Sequence, residues 1–279
     1  MSFDLFSGHV NVHIGAPNVA PVLLKKAART KALREDTTTH AMLNREFRKY
    51  LKPILLGGED PNDLLARART VQDPFFQMLK ERDVLAISQH VLMAHPDYVV
   101  RDGLFLAGAE RRVAQLADLF RHTTLDLHLT IQNPKTYVPF LPPVNRKGID
   151  LAFLPEEIPS WLDLVTRLRQ ACADNRIVVW DFSDLAKMAL PFAITLINAD
   201  EALATTIAPY IDASVQYDLT LSRVVQQDFF DRDAARLVDR QYARDLSGIA
   251  ALPNTILVQS EDIPEELFPK GAQAGGASV

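Results

Sequence analysis

Cysteine is almost missing from this chain: Cys172 stands alone among 279 residues. One thiol excludes an intramolecular disulfide and any cluster of thiolate metal ligands, and a reducing compartment is the natural expectation. Positive charge is also short. The 30 Lys and Arg residues face 35 Asp and Glu, for a formal charge of −5 and a pI near 5.8. That balance argues against a nucleic-acid binder, which carries a basic face. Long apolar runs are lacking too. The longest nearly apolar one, Met188 to Ile197, contains Pro191 and falls well short of the ~20 residues a membrane span needs. The opening MSFDLFSGHV has no basic stretch followed by a long apolar one, so no signal peptide is expected. Together these absences predict a cytoplasmic protein with neither membrane nor nucleic acid as a partner. What remains, 48% hydrophobic and 23% charged, is an ordinary globular composition with ample length for a core.

The chain is organised around Val10 to Ala27. Val10, Val12 and Ile14 alternate with Asn11 and His13, and β-branched residues at period 2 predict a strand. Gly15, Ala16 and Pro17 break the alternation. Pro21 then stands where a first-turn proline sits, and Leu23, Leu24 and Ala27 have helical spacing. Strand, tight glycine turn and helix N-terminus form the geometry that cradles a phosphate, because unpaired backbone N–H groups converge there. The side chains of a Walker A loop are not present: Ala20, Pro21 and Val22 stand where Gly-Lys-Ser/Thr would. On its own the stretch fits an ordinary βα turn equally well.

Further along, Arg29, Lys31, Arg34, Arg45, Arg48 and Lys49, mixed with acids, fit a solvated helical face better than a ligand patch. Asp60-Pro61 and Asp73-Pro74 read as helix starts, with Asp as N-cap and Pro at the first helical position. The first carries the stripe Leu64, Leu65, Ala68 and Val71; the second runs through Leu79. Strands are expected at Val84–Ile87, Leu125–Ile131 and Arg176–Trp180, with a short last one at Ile256–Val258. Between the first two of these, His90 to Gly108 reads as a loop, and Val113, Leu116, Ala117 and Phe120 mark an amphipathic helix. The stretch Val138 to Pro143 is too proline-rich for regular helix or central strand. Ser160 with Asp163 resembles a capping box before a helix carrying Trp161, Leu164, Val165, Leu168 and Cys172. Asp181-Phe182-Ser183 opens another helix. From Asn198 the chain is mostly helical, with one stripe of Leu237, Val238, Tyr242, Leu246 and Ile249. Residues 1–268 are expected to form a single α/β domain and residues 269–279 a disordered tail. Strands alternating with helices predict a doubly wound, mostly parallel sheet with ligands at the carboxyl ends of its strands.

Several separated pieces match one family. HIGAPNVAPVLL, Ile87-Ser88-Gln89, Gln132-Asn133-Pro134, WLDLVTRLRQACADNRIVVWDFSDL and Tyr242-Ala243-Arg244-Asp245-Leu246 follow one another in the order of the bacterial sulfotransferases. The chain therefore resembles these P-loop proteins, which use 3′-phosphoadenosine 5′-phosphosulfate (PAPS), over roughly Val10 to Val258. The resemblance implies a three-layer P-loop fold with a mostly parallel central sheet. It places the cofactor at Gly15, Ala16, Pro17, Asn18, Val19, Ala20, Pro21, Val22 and Gln132 and the chemistry at Asn18 and Gln89; Lys135 and His90 join these candidates as substitutes on the chemistry of their own side chains.

The departures from the family pattern fall on the chemistry. Asn18 stands where the family lysine meets the bridging phosphosulfate oxygen, and an amide supplies no positive charge. Ala20-Pro21-Val22 replaces Gly-Thr-Thr, which deletes two hydroxyls and, at Pro21, one N–H donor. Gln89 replaces a carboxylate, and an amide is no general base near neutral pH. Gln132 replaces the arginine that clamps the 3′-phosphate, and Phe140 stands about where its partnering serine would be. Each lost charge-assisted contact weakens binding by ~1.5–3 kcal/mol, so three together reduce affinity by roughly four or more orders of magnitude. Among substitutes, Lys135 lies three residues after Gln132 at a strand end, and His90 is the best remaining base. Lys25 and Lys26 lie ~10 Å too far along the first helix. His13 reads as a packed core histidine near the loop. His95, Asp97 and Asp102 lack helical metal-ligand spacing, and no metal site is expected. The sequence thus predicts a sulfotransferase-like protein whose PAPS-dependent transfer is impaired or lost, kept for binding a small molecule or protein. The alternative is an active sulfotransferase in which Lys135 and His90 substitute; a nucleotide-dependent phosphotransferase lacks both its Lys and its Mg²⁺-binding hydroxyl.

Overall fold

The computed structural model of the chain describes residues 6, 8–15, 27–57, 74–88, 100–101, 104–138, 159–225 and 230–268. Its strands are β1 (His9–Gly15), β2 (Thr39–Met42), β3 (Val84–Ser88), β4 (Val100–Arg101), β5 (Leu104–Phe105), β6 (Thr124–Ile131), β7 (Arg176–Asp181) and β8 (Thr255–Val258). Six of them form one sheet in the order β2-β3-β1-β6-β7-β8, and every neighbouring pair in it is parallel. β4 and β5 make a separate antiparallel pair. The expected parallel α/β sheet is present, with Val10–Ile14 inside it, flanked by β3 on one side and β6 on the other.

Three differences from the sequence reading have local causes. The edge strand β2, Thr-His-Ala-Met, went unforeseen because four residues carry too little alternation to register. The stretch read as a loop from His90 to Gly108 contains β4 and β5, each two residues long. The strand end Gln132-Asn133-Pro134-Lys135 turns directly into the short helix Pro134–Tyr137, where Asn133 Oδ1 accepts from Lys135 N at 2.9 Å and Pro134 fills the first turn. The helix from Asp60, most of the helix after Pro21, the prolines at 139, 142 and 143 and the tail 269–279 lie outside the described residues.

Helices cover both faces. On one, Val10, Val12 and Ile14 line up with Leu125, Leu127, Leu129 and Ile131. The helices Ala109–Leu119, Trp161–Ala171 and Arg232–Ala250 lie side by side on that face. Half of the expected capping box is present: Ser160 Oγ accepts from Asp163 N at 3.2 Å, but the Asp163 carboxylate turns to Arg167, and Asp245 of the last helix accepts from Ser160 Oγ and Trp161 N, both at 2.8 Å. Trp161 itself is wholly buried and stacks on Phe105 at 4.1 Å. Cys172 ends that helix as a buried thiol, pushed up to about 11 by burial against the pull of Arg169. The basic residues Arg29, Lys31, Arg34, Arg45, Arg48 and Lys49 are exposed. No described helix is long and apolar enough to cross a membrane.

The other face is polar yet buried. Asn11, His13, Asp126, His128 and Thr130 all point to it, and none is more than 5% exposed. The helix Leu185–Ile197 lies across it, with Phe192 edge-on to both His13 and Trp180. Its C-terminal carbonyls are buried against the strands, where water does not reach them, so each needs a protein donor. Asn198, in the left-handed conformation, and Ala199 donate to Thr195 O and Ile194 O. Asn11 Nδ2 donates to Thr195 O and Leu196 O at 3.3 and 3.0 Å, and Thr39 Oγ1 donates to Ile197 O at 2.9 Å. All four terminal carbonyls are thereby satisfied.

That arrangement fixes a tautomer. Trp180 Nε1 has only a proton to give, and it lies 3.2 Å from His128 Nδ1. His128 therefore carries its proton on Nε2, which donates to Asn11 Oδ1 at 3.3 Å. The ring is fully buried, and burial lowers its pKa from 6.5 to about 3, despite the opposing attraction of Asp126. The sign of the resulting pH effect follows. Above pH 6.5 His128 is neutral both folded and unfolded. As pH falls toward 3, the unfolded chain takes up a proton that the folded chain refuses, so stability drops. Between about pH 6 and 4.5, the stability of the wild type relative to His128→Gln should fall by about 1.4 kcal/mol per pH unit. Urea denaturation across that range measures it; parallel curves for the two proteins would contradict the neutral buried histidine.

Candidate functional site

The sheet order marks where a ligand would sit. From β1 the chain leaves toward β2, on one side of the sheet; from β6 it leaves toward β7, on the other. Connections that diverge from adjacent parallel strands open a crevice outside their carboxyl ends. Here that crevice lies between β1 and β6. The strand-end residues around it are Gly15 on β1, Ser88 on β3, Thr130 and Gln132 at the end of β6, and Asp181 on β7.

Gly15 is required at its position. Its φ is +141°, a backbone conformation that L side chains rarely adopt. A Cβ there would meet Thr130 O and Oγ1 at 2.5 Å and Thr130 N at 2.7 Å. β1 and β6 thus approach closely where β1 ends, opposite Thr130 in register.

Below Gly15 on the same strand, the His13 ring bridges two hydroxyls. Nδ1 lies 2.9 Å from Ser88 Oγ on β3, and Nε2 lies 3.1 Å from Thr130 Oγ1 on β6. His13 and Thr130 are fully buried, while Ser88 is partly open. The expectation of a core histidine beside the loop agrees with this burial. The sequence did not reveal that its two partners come from neighbouring strands.

Gln132 is held at both its backbone and its side chain. Its carbonyl accepts from Trp161 Nε1 at 2.8 Å, and its Nε2 approaches Phe182 O at 3.5 Å. Lys135, a candidate for the cofactor, pairs with the chain's own Asp239 at 2.6 Å. Asn133 Nδ2 donates to the same carboxylate at 2.8 Å. Burial pushes the Asp239 carboxyl up, but hydrogen bonds from Lys135 and Asn133 outweigh it and hold the group below its usual range. At β7, Asp181 Oδ1 accepts from Ser183 N, Ser183 Oγ and Tyr242 Oη, the last at 2.7 Å. Tyr242 is pushed well above its ordinary pKa by burial and by that carboxyl.

Of the residues the sequence assigned to the site, Gly15 and Gln132 therefore flank one crevice, and Lys135 sits beyond it, engaged elsewhere. Ala16, Pro17, Asn18, Val19, Ala20, Pro21, Val22, Gln89, His90 and Phe140 lie outside the described residues. Among the described residues, no group of three or more His, Cys, Asp or Glu side chains is placed to hold a metal ion. Sequence reasoning missed Asp239 and Thr130. The signal for Thr130 was its alternation with His128 on a strand beside β1; for Asp239 none was legible, since it lies 104 positions from Lys135.

Gly15→Ala tests the close approach. The strained φ and the steric overlap with Thr130 together should cost about 2–4 kcal/mol. The check is the urea midpoint of the variant; an unchanged midpoint would mean that β1 and β6 do not meet as described.

Comparison of the chain with protein-family models, with curated proteins and with solved structures gives no match in any of the three, so its functional reading rests on the residues themselves.

Proposed function

We propose that this chain is a sulfotransferase-like protein in which PAPS-dependent sulfuryl transfer is impaired or lost, retained as a binding protein. The observation that carries the reading is the pairing of Lys135 with Asp239, a carboxylate that Asn133 Nδ2 also holds. Lys135 was the cation best placed by the sequence to compensate for Gln132, and it already has an anionic partner. A nucleotide with two phosphate groups would have to compete with that carboxylate. The strand-end residues Gly15, Ser88 and Gln132 bring no positive charge, and Asn18 and Gln89 bring none by their chemistry. Gly15 at the end of the central strand β1 and the crevice at the switch point support a sulfotransferase-like scaffold. The lack of a cation among the described strand-end residues supports the loss of polyanion binding.

Thermal unfolding with 3′-phosphoadenosine 5′-phosphate tests this, because any ligand that binds only the native state raises the melting temperature. No shift is expected at millimolar nucleotide; a saturable rise of several degrees would favour an active sulfotransferase. The complementary experiment restores charge. Asn18→Lys, Gln89→Glu and Gln132→Arg together should make nucleotide binding measurable by calorimetry, whereas Gln89→Glu alone should not. The two cations act on binding, lysine at the phosphosulfate bridge and arginine as a fork on the 3′-phosphate. Contacts to one polyanion act as a unit, so single replacements do little. A folded triple variant that still binds nothing would place the lesion in the loop around Ala20 and Pro21.

A further inference from the structure

We propose that Ser88 is a histidine-activated nucleophile that takes the acyl group of small, uncharged, activated esters. This goes beyond the nucleotide reading and does not depend on it. Ser88 closes β3 and is the one residue of that strand that is not fully buried. It stands opposite His13 in register, with its Oγ 2.9 Å from the ring Nδ1. The other ring nitrogen meets Thr130 Oγ1 at 3.1 Å, and Phe192 packs edge-on against the ring at 4.9 Å. A serine hydroxyl is a weak nucleophile near neutral pH. It becomes useful when a base lies within hydrogen-bond reach and a third group orients that base. All three parts are present: Ser88 partly open at the strand end, His13 and Thr130 buried beneath it.

The roles follow from the proton positions. In the tautomer the proposal requires, His13 Nε2–H donates to Thr130 Oγ1 and the Nδ1 lone pair faces the Ser88 hydroxyl. Ser88 is then the nucleophile, His13 the general base, and Thr130 a positioning residue that sets the tautomer. A neutral hydroxyl stabilises the imidazolium less than a carboxylate would. That limits the site to esters with good leaving groups and excludes amides. Gly15 and Gln132 bring no charge to meet a charged substrate, and the Asp181 carboxylate of the same rim disfavours anionic ones.

The step balances without a further co-reactant. Ser88 Oγ bonds to the carbonyl carbon as its proton passes to His13 Nδ1. The bond from that carbon to the leaving oxygen breaks, and the alcohol departs with the proton. Water then adds to the acyl carbon, giving a proton to His13. The carboxylic acid leaves as Ser88 Oγ takes the proton back.

The probe is 4-nitrophenyl acetate, applied to the full chain. A stoichiometric burst of nitrophenolate is expected, with the acetyl group on Ser88 by peptide mass spectrometry. Ser88→Ala should abolish the burst, and His13→Gln should slow acylation by ~100-fold or more. Thr130→Val should shift the pH profile of acylation, and Thr130→Ser should restore it. His13 and Thr130 are buried, so circular dichroism and urea midpoints establish that their variants fold. The deciding variant is Ser88→Ala, at a partly open position. No burst in the wild type, an equal burst in Ser88→Ala, or acetylation confined to lysines would each overturn the proposal. A Thr130→Val protein with a slower rate but an unmoved pH profile would remove Thr130 from it.

Discussion

The buried C-terminus of the helix Leu185–Ile197 is the constraint on which the rest of this structure depends. Four carbonyls with no helical partner point at the middle of a sheet, where solvent cannot satisfy them. Leaving even one without a donor costs ~1–3 kcal/mol, a sizeable part of the stability of a typical domain. The chain meets the demand from three places: its own turn at Asn198 and Ala199, the edge strand through Thr39, and the sheet centre through Asn11. Asn11 can give both amide protons to the helix only if its oxygen accepts from elsewhere, and His128 supplies that proton. His128 in turn can do so only if its other nitrogen accepts, and Trp180 provides. One helix end thus dictates an amide orientation, a tautomer and the setting of a core tryptophan.

The same face shows polar rows at three levels along the strands. At the amino ends, Asp126 binds His9 and Arg176; burial pushes its carboxyl up, but those two partners hold it at about 2. The middle row is Asn11, His128 and Trp180. At the carboxyl ends stands Ser88, His13 and Thr130. Because successive residues alternate faces, slipping β1 by one residue against β6 would bring Val12 to this side and leave every row unpaired. The register that closes the middle row also delivers the histidine to the crevice. Packing and site geometry are here set by the same hydrogen bonds.

The central strands were legible because their β-branched and apolar residues alternate or run continuously: Val10 to Ile14, Val84 to Ile87, Leu125 to Ile131 and Arg176 to Trp180 all lie in observed strands. Caps were legible for the same local reason, as Ser160 shows. β2 was not, since Thr39–Met42 owes its strand state to pairing with β3 rather than to its own pattern. At the site, Gly15 was identifiable from its place after the strand, and the side chain of Gln132 from the resemblance. The fate of Lys135 was not, because it is decided by a carboxylate on a distant helix. The bridging of His13 was also hidden, because register between strands so far apart in sequence is a tertiary property.

The central position of β1 has a consequence for how the chain is made. His9 pairs with Val84 on one side and with Thr124 on the other. Synthesis proceeds at ~5–20 residues per second from the amino end, so β1 waits some seconds for its first neighbour and longer for its second. During that interval Val10, Val12 and Ile14 have no sheet to enter, and both their backbone edges are free to template a foreign strand. The stretch around which the finished sheet is ordered is thus the one that nascent chains must shield longest.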